Sequence, residues 1–303
     1  MEYLYYKSKK GNFGDDLNGW LWPKLFGTNG SGAGNGFYFV GIGSLLHNDS
    51  HVVKGLDIDR KKVVFGTGVK PSKVYAKLKL DESWDVMFLR GPLSSGELNR
   101  KDDYITDAAY AIRQLVDFEE IRQQPKKYKV SLMPYFHSTD FFDWKKICDQ
   151  LGYHYISPHS EEGVEFTLKE IAASECLITE AMHGAIMADT LRVPWHRFIL
   201  STPYTEGGRI SDFKWTDWLM SIDIPFPQST YIPFYQKGPI NKLTKMITNN
   251  FLSLEYLPKG KVGKDVVKKL KDIDLFYLSE DVKISEIDAK IHQKIADFKL
   301  SYL

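Results

Sequence analysis

The sequence predicts an α/β fold of two Rossmann-like domains facing a cleft. Short apolar runs alternate with helix-length amphipathic stretches, the pattern of parallel strands joined by crossover helices. Glycine-bearing turns follow several of these runs, as they do where chain crosses the mouth of a cleft. A polar stretch, DFEEIRQQPKK from Asp117 to Lys127, separates the fifth run from the sixth and reads as a linker. The expected division is therefore residues 1–120 and residues 121–303, the latter including the C-terminal helices.

The expected strands of the first half are Tyr3 to Tyr6, Phe37 to Val40, Val63 to Phe65, Val86 to Leu89 and Tyr104 to Thr106. Those of the second are Val130 to Met133, Tyr153 to Ile156, Leu177 to Thr179 and Arg197 to Leu200. Each is short and rich in β-branched or aromatic residues. A helix-like stretch runs from Phe141 to Leu151, and lysine-rich helical stretches follow Pro233, at Asn241 to Phe251, Lys264 to Ile273 and Ser285 to Leu300. In the middle one Val267, Leu270 and Ile273 share a face, and its lysines form either a solvated surface or a peripheral contact with the inner membrane face. The segment GTNGSGAGNG, Gly27 to Gly36, reads as a flexible lid.

Of 303 residues, 43% are hydrophobic and 26% charged, a balance that excludes disordered, collagenous and membrane-spanning classes. With 40 Lys and Arg against 39 Asp and Glu, no global field favours nucleic acid, so an anion must be bound locally. The opening residues lack the apolar core of a secretory signal, and no segment approaches the roughly 20 apolar residues of a spanning helix. A cytoplasmic protein is expected. Cys148 and Cys176 read as free thiols, and His47 with His51, like His154 with His159, lack a third ligand at fixed spacing, so no metal is expected.

Two segments carry most of the chemistry. GNFGDDLNGWLW, Gly11 to Trp22, is a glycine turn opening a helix. Asp15 and Asp16 at its N-terminus complement the helix dipole and oppose a phosphate, and one of them suffices as a cap. The other is free to accept a sugar hydroxyl or act as its general base. Asn12 and Gly14, in the same turn, are assigned to substrate binding. LITEAMHGAIMADTLRVPW, Leu177 to Trp195, is a strand followed by a helix with His183 in its first turn, where free amides and a partial positive charge welcome an oxyanion. Gly184 would let a ligand approach the backbone, and Glu180 either orients the imidazole or caps the helix. GIGS (Gly41 to Ser44) and GTG (Gly66 to Gly68) are glycine turns. Arg90, at a strand end in LRGPLSSGEL, offers a bidentate donor to carboxylate or phosphate, or a structural ion pair. Asp107 reads as a turn or cap residue, and His137 follows the first strand of the second half, where it could face the cleft.

GNFGDD, GIGS, GTG, RGPLS and the late His-Gly element, in this order, resemble the polysaccharide pyruvyltransferase family, closest to its exopolysaccharide, succinoglycan-type subgroup. The resemblance spans about residue 3 to residue 200 and implies a GT-B-like fold. It also implies phosphoenolpyruvate as donor substrate without a further cofactor, and a hexose of a lipid-linked oligosaccharide as acceptor. Many relatives carry an arginine two positions before the motif histidine. This chain has Ala181 there, so Arg90, Arg192 or Arg209 is the replacement to consider.

On this reading the second half is the donor side, with His183 as general acid or donor to the phosphate and Arg90 and Arg209 as clamps. The first half is the acceptor side, with Asp15 or Asp16 as base. A nucleotide-sugar glycosyltransferase and an inactive sugar-binding protein of polysaccharide assembly are the competing readings.

Overall fold

The computed structural model describes residues 1–27, 36–72, 74, 78–234, 247 and 259–303. Strands β1 (Glu2–Leu4), β2 (Tyr38–Val40), β3 (Lys62–Phe65) and β4 (Trp84–Phe88) form one parallel sheet in the order β1-β2-β3-β4. Strands β5 (Ser131–Met133), β6 (His154–Tyr155), β7 (Leu177–Thr179), β8 (Trp195–Ile199) and β9 (Thr230–Tyr231) form a second, parallel throughout, in the order β6-β5-β7-β8-β9. These two sheets with their helices bear out the α/β, two-unit expectation.

The second sheet has the doubly wound order in which chain direction across the sheet reverses between β5 and β7. Ligands of open α/β sheets sit at such a reversal, beyond the carboxyl ends of the two strands. Met133 pairs with Thr179 at that end, and helix α6 (Met182–Thr190) starts immediately beyond. The site is therefore prepared by topology before any side chain is considered.

Helix α1 (Phe13–Phe26) follows β1, and its buried Phe13, Leu17, Leu21, Trp22 and Phe26 face the first sheet. Four further helices, α2 (Pro92–Glu97), α3 (Phe118–Arg122), α4 (Trp144–Leu151) and α5 (Val164–Ala172), precede α6. After β8, a π turn at Pro203–Gly207 leads into α7 (Gly208–Ser221), and α8 (Lys259–Lys271) and α9 (Asp281–Tyr302) close the described chain.

Helix α7 crosses to the first unit. Its Asp217 is fully buried and accepts hydrogen bonds from Arg90 Nε at 2.9 Å, the Ser94 backbone N–H at 2.9 Å and Ser94 Oγ at 2.6 Å. Helix α9 also returns to the first unit, with Phe298 at ring-centroid distances of 4.4 Å from Phe26 and 5.3 Å from Phe39. The division at residue 120 read from the sequence does not follow this helix, because its apolar stripe Ile284, Ile287, Ile291, Ile295 and Phe298 joins the core of the first unit. That core runs without interruption from α1 to Ile171 of α5, Ala185 of α6 and Trp195 of β8, so the two units are fused along one side of the cleft.

Other expectations shift in detail. The fifth run makes a single bridge, Tyr104 to Leu89, because the chain turns at Asp107 into a 310 turn at Ala108–Gln114. Strand β9 was not anticipated; it is two residues long and precedes Pro233. The apolar face of α8 is already occupied, since Val262, Val266 and Leu270 are fully buried beside α4 residues Trp144 and Ile147. Any membrane contact by this helix is thus left to its lysines. Cys148 is buried and Cys176 half-buried, both free thiols. The expected lid falls almost wholly, and the helix Asn241 to Phe251 in all but Ile247, outside the described residues. No described helix is long and apolar enough to cross a membrane.

Candidate active site

A cleft of about 530 Å³ lies at the β5/β7 switch point, walled by both units. That is within the usual range for a small-molecule site. The second unit contributes Met133, Tyr135 and Phe136 after β5, Ala181, Met182 and His183 after β7, and Glu206 and Lys214 from the segment around the start of α7. The first contributes Asn12 to Asp15, the turn Gly43 to Leu45, residues of the loop 47–52, Lys70 and Arg90.

The acidic pair divides its work. Asp16 Oδ2 accepts the Asn12 backbone N–H at 2.9 Å, closing the N-terminus of α1, and Asp16 does not line the cleft. Asp15 does line it, with Asn12 Nδ2 donating to its Oδ2 at 2.5 Å. Burial pushes the Asp15 carboxyl up to about 7, against the opposing pull of Lys214 and the Asn12 hydrogen bond. Asn12 therefore serves Asp15, and Asp15 is the group able to exchange a proton near neutrality.

His183 stands opposite, brought against Gly14. A Cβ on Gly14 would lie 2.1 Å from His183 Nδ1, so only glycine leaves room for the ring. The imidazole side chain is 19% exposed, and burial, with Lys214 and Arg90 adding to it, holds its pKa down to about 3. At neutral pH it is a neutral imidazole. The first amides of α6 have no intrahelical acceptor and carry the positive end of the helix dipole.

Several expected ligand contacts are replaced. Gly184 is buried facing the sheet, where a Cβ would meet Thr179 Oγ1 at 2.6 Å and Met133 Sδ at 2.9 Å, so its smallness serves helix packing. Glu180 is buried and used up by the protein. Its Oε1 accepts the backbone N–H groups of Leu200, Ser201 and Thr202 at 2.9, 2.6 and 2.9 Å, and its Oε2 accepts from Ser138 Oγ. It anchors the turn after β8 and neither caps α6 nor orients the imidazole. His137 packs on Phe136 at 3.9 Å between ring centroids and does not line the cleft, where Tyr135 and Phe136 stand instead. Arg209 is exposed on α7 and outside the cleft. Arg192 bonds Ser279 O at 2.6 Å and Asp281 at 2.8 Å, also outside the cleft.

Arg90 takes the structural one of its two readings, a buried ion pair. Its Nε is committed to Asp217 and its Nη1 to Ser44 Oγ at 2.7 Å, while Nη2 has no partner among the described residues. The cations missed in the sequence are Lys214, paired with Glu206, and Lys70. Lys214 acts electrostatically on Asp15, His183, Asp107 and Lys70, which makes it the central charge of the site. Lys70 follows the GTG turn directly after Val69, a signal that was available; Lys214 lies within an aromatic helix, FKWTDW, and carries none. Asp107 caps the 310 turn as expected, its Oδ1 accepting the Ala109 N–H at 3.0 Å, and its other oxygen lies 3.9 Å from His183 Nε2.

Fold and cleft define a two-sheet α/β protein with a cleft lined by charged groups between its units. No protein-family profile matches the chain. It is 29% identical, over 309 aligned positions covering 98% of this chain and 87% of the other, to the succinoglycan biosynthesis protein ExoV of Rhizobium meliloti (strain 1021). The likeness runs over nearly the whole of this chain. Among solved structures, two of the wall teichoic acid polymerase TagF are similar at 13% and 12% identity, covering 86% of this chain and 73% and 72% of theirs. Their TM-scores are 0.36 and 0.34, too slight to carry a conclusion.

Proposed function

We propose that the protein transfers the enolpyruvyl unit of phosphoenolpyruvate to a sugar of an exopolysaccharide repeat unit and closes it as a pyruvyl ketal. One observation carries the reading. Lys214 and the start of α6 line a single cleft together with Asp15, a carboxyl group poised near neutrality. A small polyanion fits the first and a hydroxyl nucleophile the second. The relationship to a succinoglycan biosynthesis protein supports a sugar-polymer acceptor.

The chemistry needs an acid, a base and cations. Lys214 takes the position of principal donor-binding cation left open by Ala181, with Lys70 beside it on the acceptor half and Arg90 behind. Entry of the polyanionic donor raises the His183 pKa from its low value, because a nearby negative charge favours the imidazolium. His183 then protonates the methylene carbon, leaving a cationic centre at the adjacent carbon. One acceptor hydroxyl adds there as Asp15 takes its proton, phosphate departs with its bridging oxygen, and a second hydroxyl completes the ketal. Of the two hydroxyl protons, one replaces that given to the methyl group and the other leaves with phosphate.

No cofactor is required by this scheme. A lipid-linked oligosaccharide would present the sugar at the cytoplasmic face of the membrane, with the loop 47–52 on the acceptor side. The experiment is to incubate the protein with phosphoenolpyruvate and candidate lipid-linked oligosaccharides while following phosphate and acceptor mass. Release of nucleotide from a nucleotide sugar would favour a glycosyltransferase, and donor binding without turnover across a broad acceptor panel would favour a sugar-binding protein.

A further inference from the structure

Two buried polar atoms behind the cleft lining face each other across the junction of the two units. Asp107 Oδ2 and His183 Nε2 are both buried, lie 3.9 Å apart and have no hydrogen-bond partner among the described residues. Leaving both unpaired would cost each its desolvation penalty. The other oxygen of Asp107 is already held by the Ala109 N–H, so Oδ2 is the one free to accept. On the far side of the ring, Nδ1 abuts the backbone of Gly14, which presents no acceptor from a side chain.

We propose that Asp107 is the positioning residue of His183: its carboxylate receives the Nε2–H and leaves Nδ1, beside Gly14 of the cleft lining, as the nitrogen that exchanges a proton with substrate. The groups facing the imidazole are Lys214 from α7, Arg90 beyond β4, Asp107 from the 310 turn and Asp15 from α1. Burial, with Lys214 and Arg90 adding to it, opposes a second proton, so the ring is neutral with a single N–H. Its position is then decided by where an acceptor lies, and Asp107 Oδ2 is the acceptor the structure supplies. Burial raises the Asp107 carboxyl to about 6 against the pull of Arg90, so slightly above neutral pH it is chiefly ionised and an acceptor. A separation of 3.9 Å is longer than a hydrogen bond, and a small side-chain rotation closes it, as in catalytic pairs that tighten on binding.

When the donor raises the imidazole pKa, the second proton arrives at Nδ1, facing the substrate, while Asp107 stabilises the imidazolium from behind. The assignment rests on His183 standing in the donor site, but the tautomer can be read without any substrate.

The test is 15N NMR of the full-length protein labelled at histidine, slightly above neutral pH, with the His183 signals identified by their loss in His183→Gln. The expected result is the Nε2–H tautomer in the unsubstituted protein. In Asp107→Asn the cap to Ala109 is retained, but an amide N–H now points at Nε2, so the tautomer flips to Nδ1–H. An Nδ1–H ring in the unsubstituted protein, or no flip in Asp107→Asn, would overturn the proposal. The expected tautomer and flip in a protein that fails to turn over phosphoenolpyruvate would uphold the Asp107–His183 pairing and count against the pyruvyl reading alone.

Discussion

Arg90 of the first unit and Asp217 of the second form a buried ion pair, 2.9 Å from Nε to Oδ2, with both side chains at 1% exposure or less. The pair fixes α7, and with it Lys214 one turn earlier, against the first unit. Breaking a buried pair from one side strands a charge and costs about 3–5 kcal/mol. Asp217→Ala should therefore lose that much stability in urea denaturation, more than Asp217→Asn, which keeps an acceptor for the Ser94 N–H. A loss below about 1 kcal/mol would mean that the interface does not depend on the pair.

Asp15 and Asp16 should separate cleanly. Asp15→Asn is expected to lower turnover by about 100-fold or more, the scale of a lost general base, with its melting temperature preserved. Asp16→Asn should cost about 1 kcal/mol as a weakened helix closure and retain most activity. Steady-state kinetics and thermal melts on both variants check this, and equal losses of turnover would contradict the division.

The same carboxyl group gives a pH signature. Its folded pKa of about 7 lies above the unfolded value, so the native state binds the extra proton between about 4 and 7 and this contribution to stability fades as pH rises through that window. Asp107, raised to about 6, acts in the same direction, whereas His183, lowered to about 3, opposes both below its unfolded value. The unfolding free energy of Asp15→Asn relative to the unsubstituted protein should thus increase from pH 4 to pH 7. A constant difference would show that Asp15 is not desolvated.

Lys214 and Arg209 lie on one helix and have opposite expectations. Lys214→Met should raise the donor KM by at least about tenfold, about 1.4 kcal/mol of lost binding, and shift the pH profile of turnover as the His183 pKa is released upward. Arg209→Ala, at an exposed position, should leave the donor KM within twofold. Inverted results would return the donor contact to Arg209.

What the sequence made legible follows physical range. Strand β7 was read to the residue because LIT is a continuous apolar run at a buried position. His183 and Asp15 reach the cleft lining from strand-to-helix turns, which announce themselves locally, whereas Asp16 turns back to close its helix. Glu180 and Gly184 were misassigned for the same reason: adjacency to a motif does not reveal which way a side chain points, and both turn into the protein. Lys214, Asp107 and the return of α9 depend on contacts 31 to 272 residues away along the chain, which no local pattern encodes; His183 to Lys214 is 31 apart, His183 to Asp107 is 76, and Phe26 to Phe298 is 272.

The central claim is a pyruvyl donor at His183, and its most direct test is phosphate release from phosphoenolpyruvate in the presence of a lipid-linked oligosaccharide acceptor. The prediction is phosphate formed in step with a pyruvyl mass gain on the acceptor, abolished in a folded His183→Ala protein. Nucleotide-sugar turnover with phosphoenolpyruvate inert, or near-normal phosphate release by His183→Ala, would contradict it.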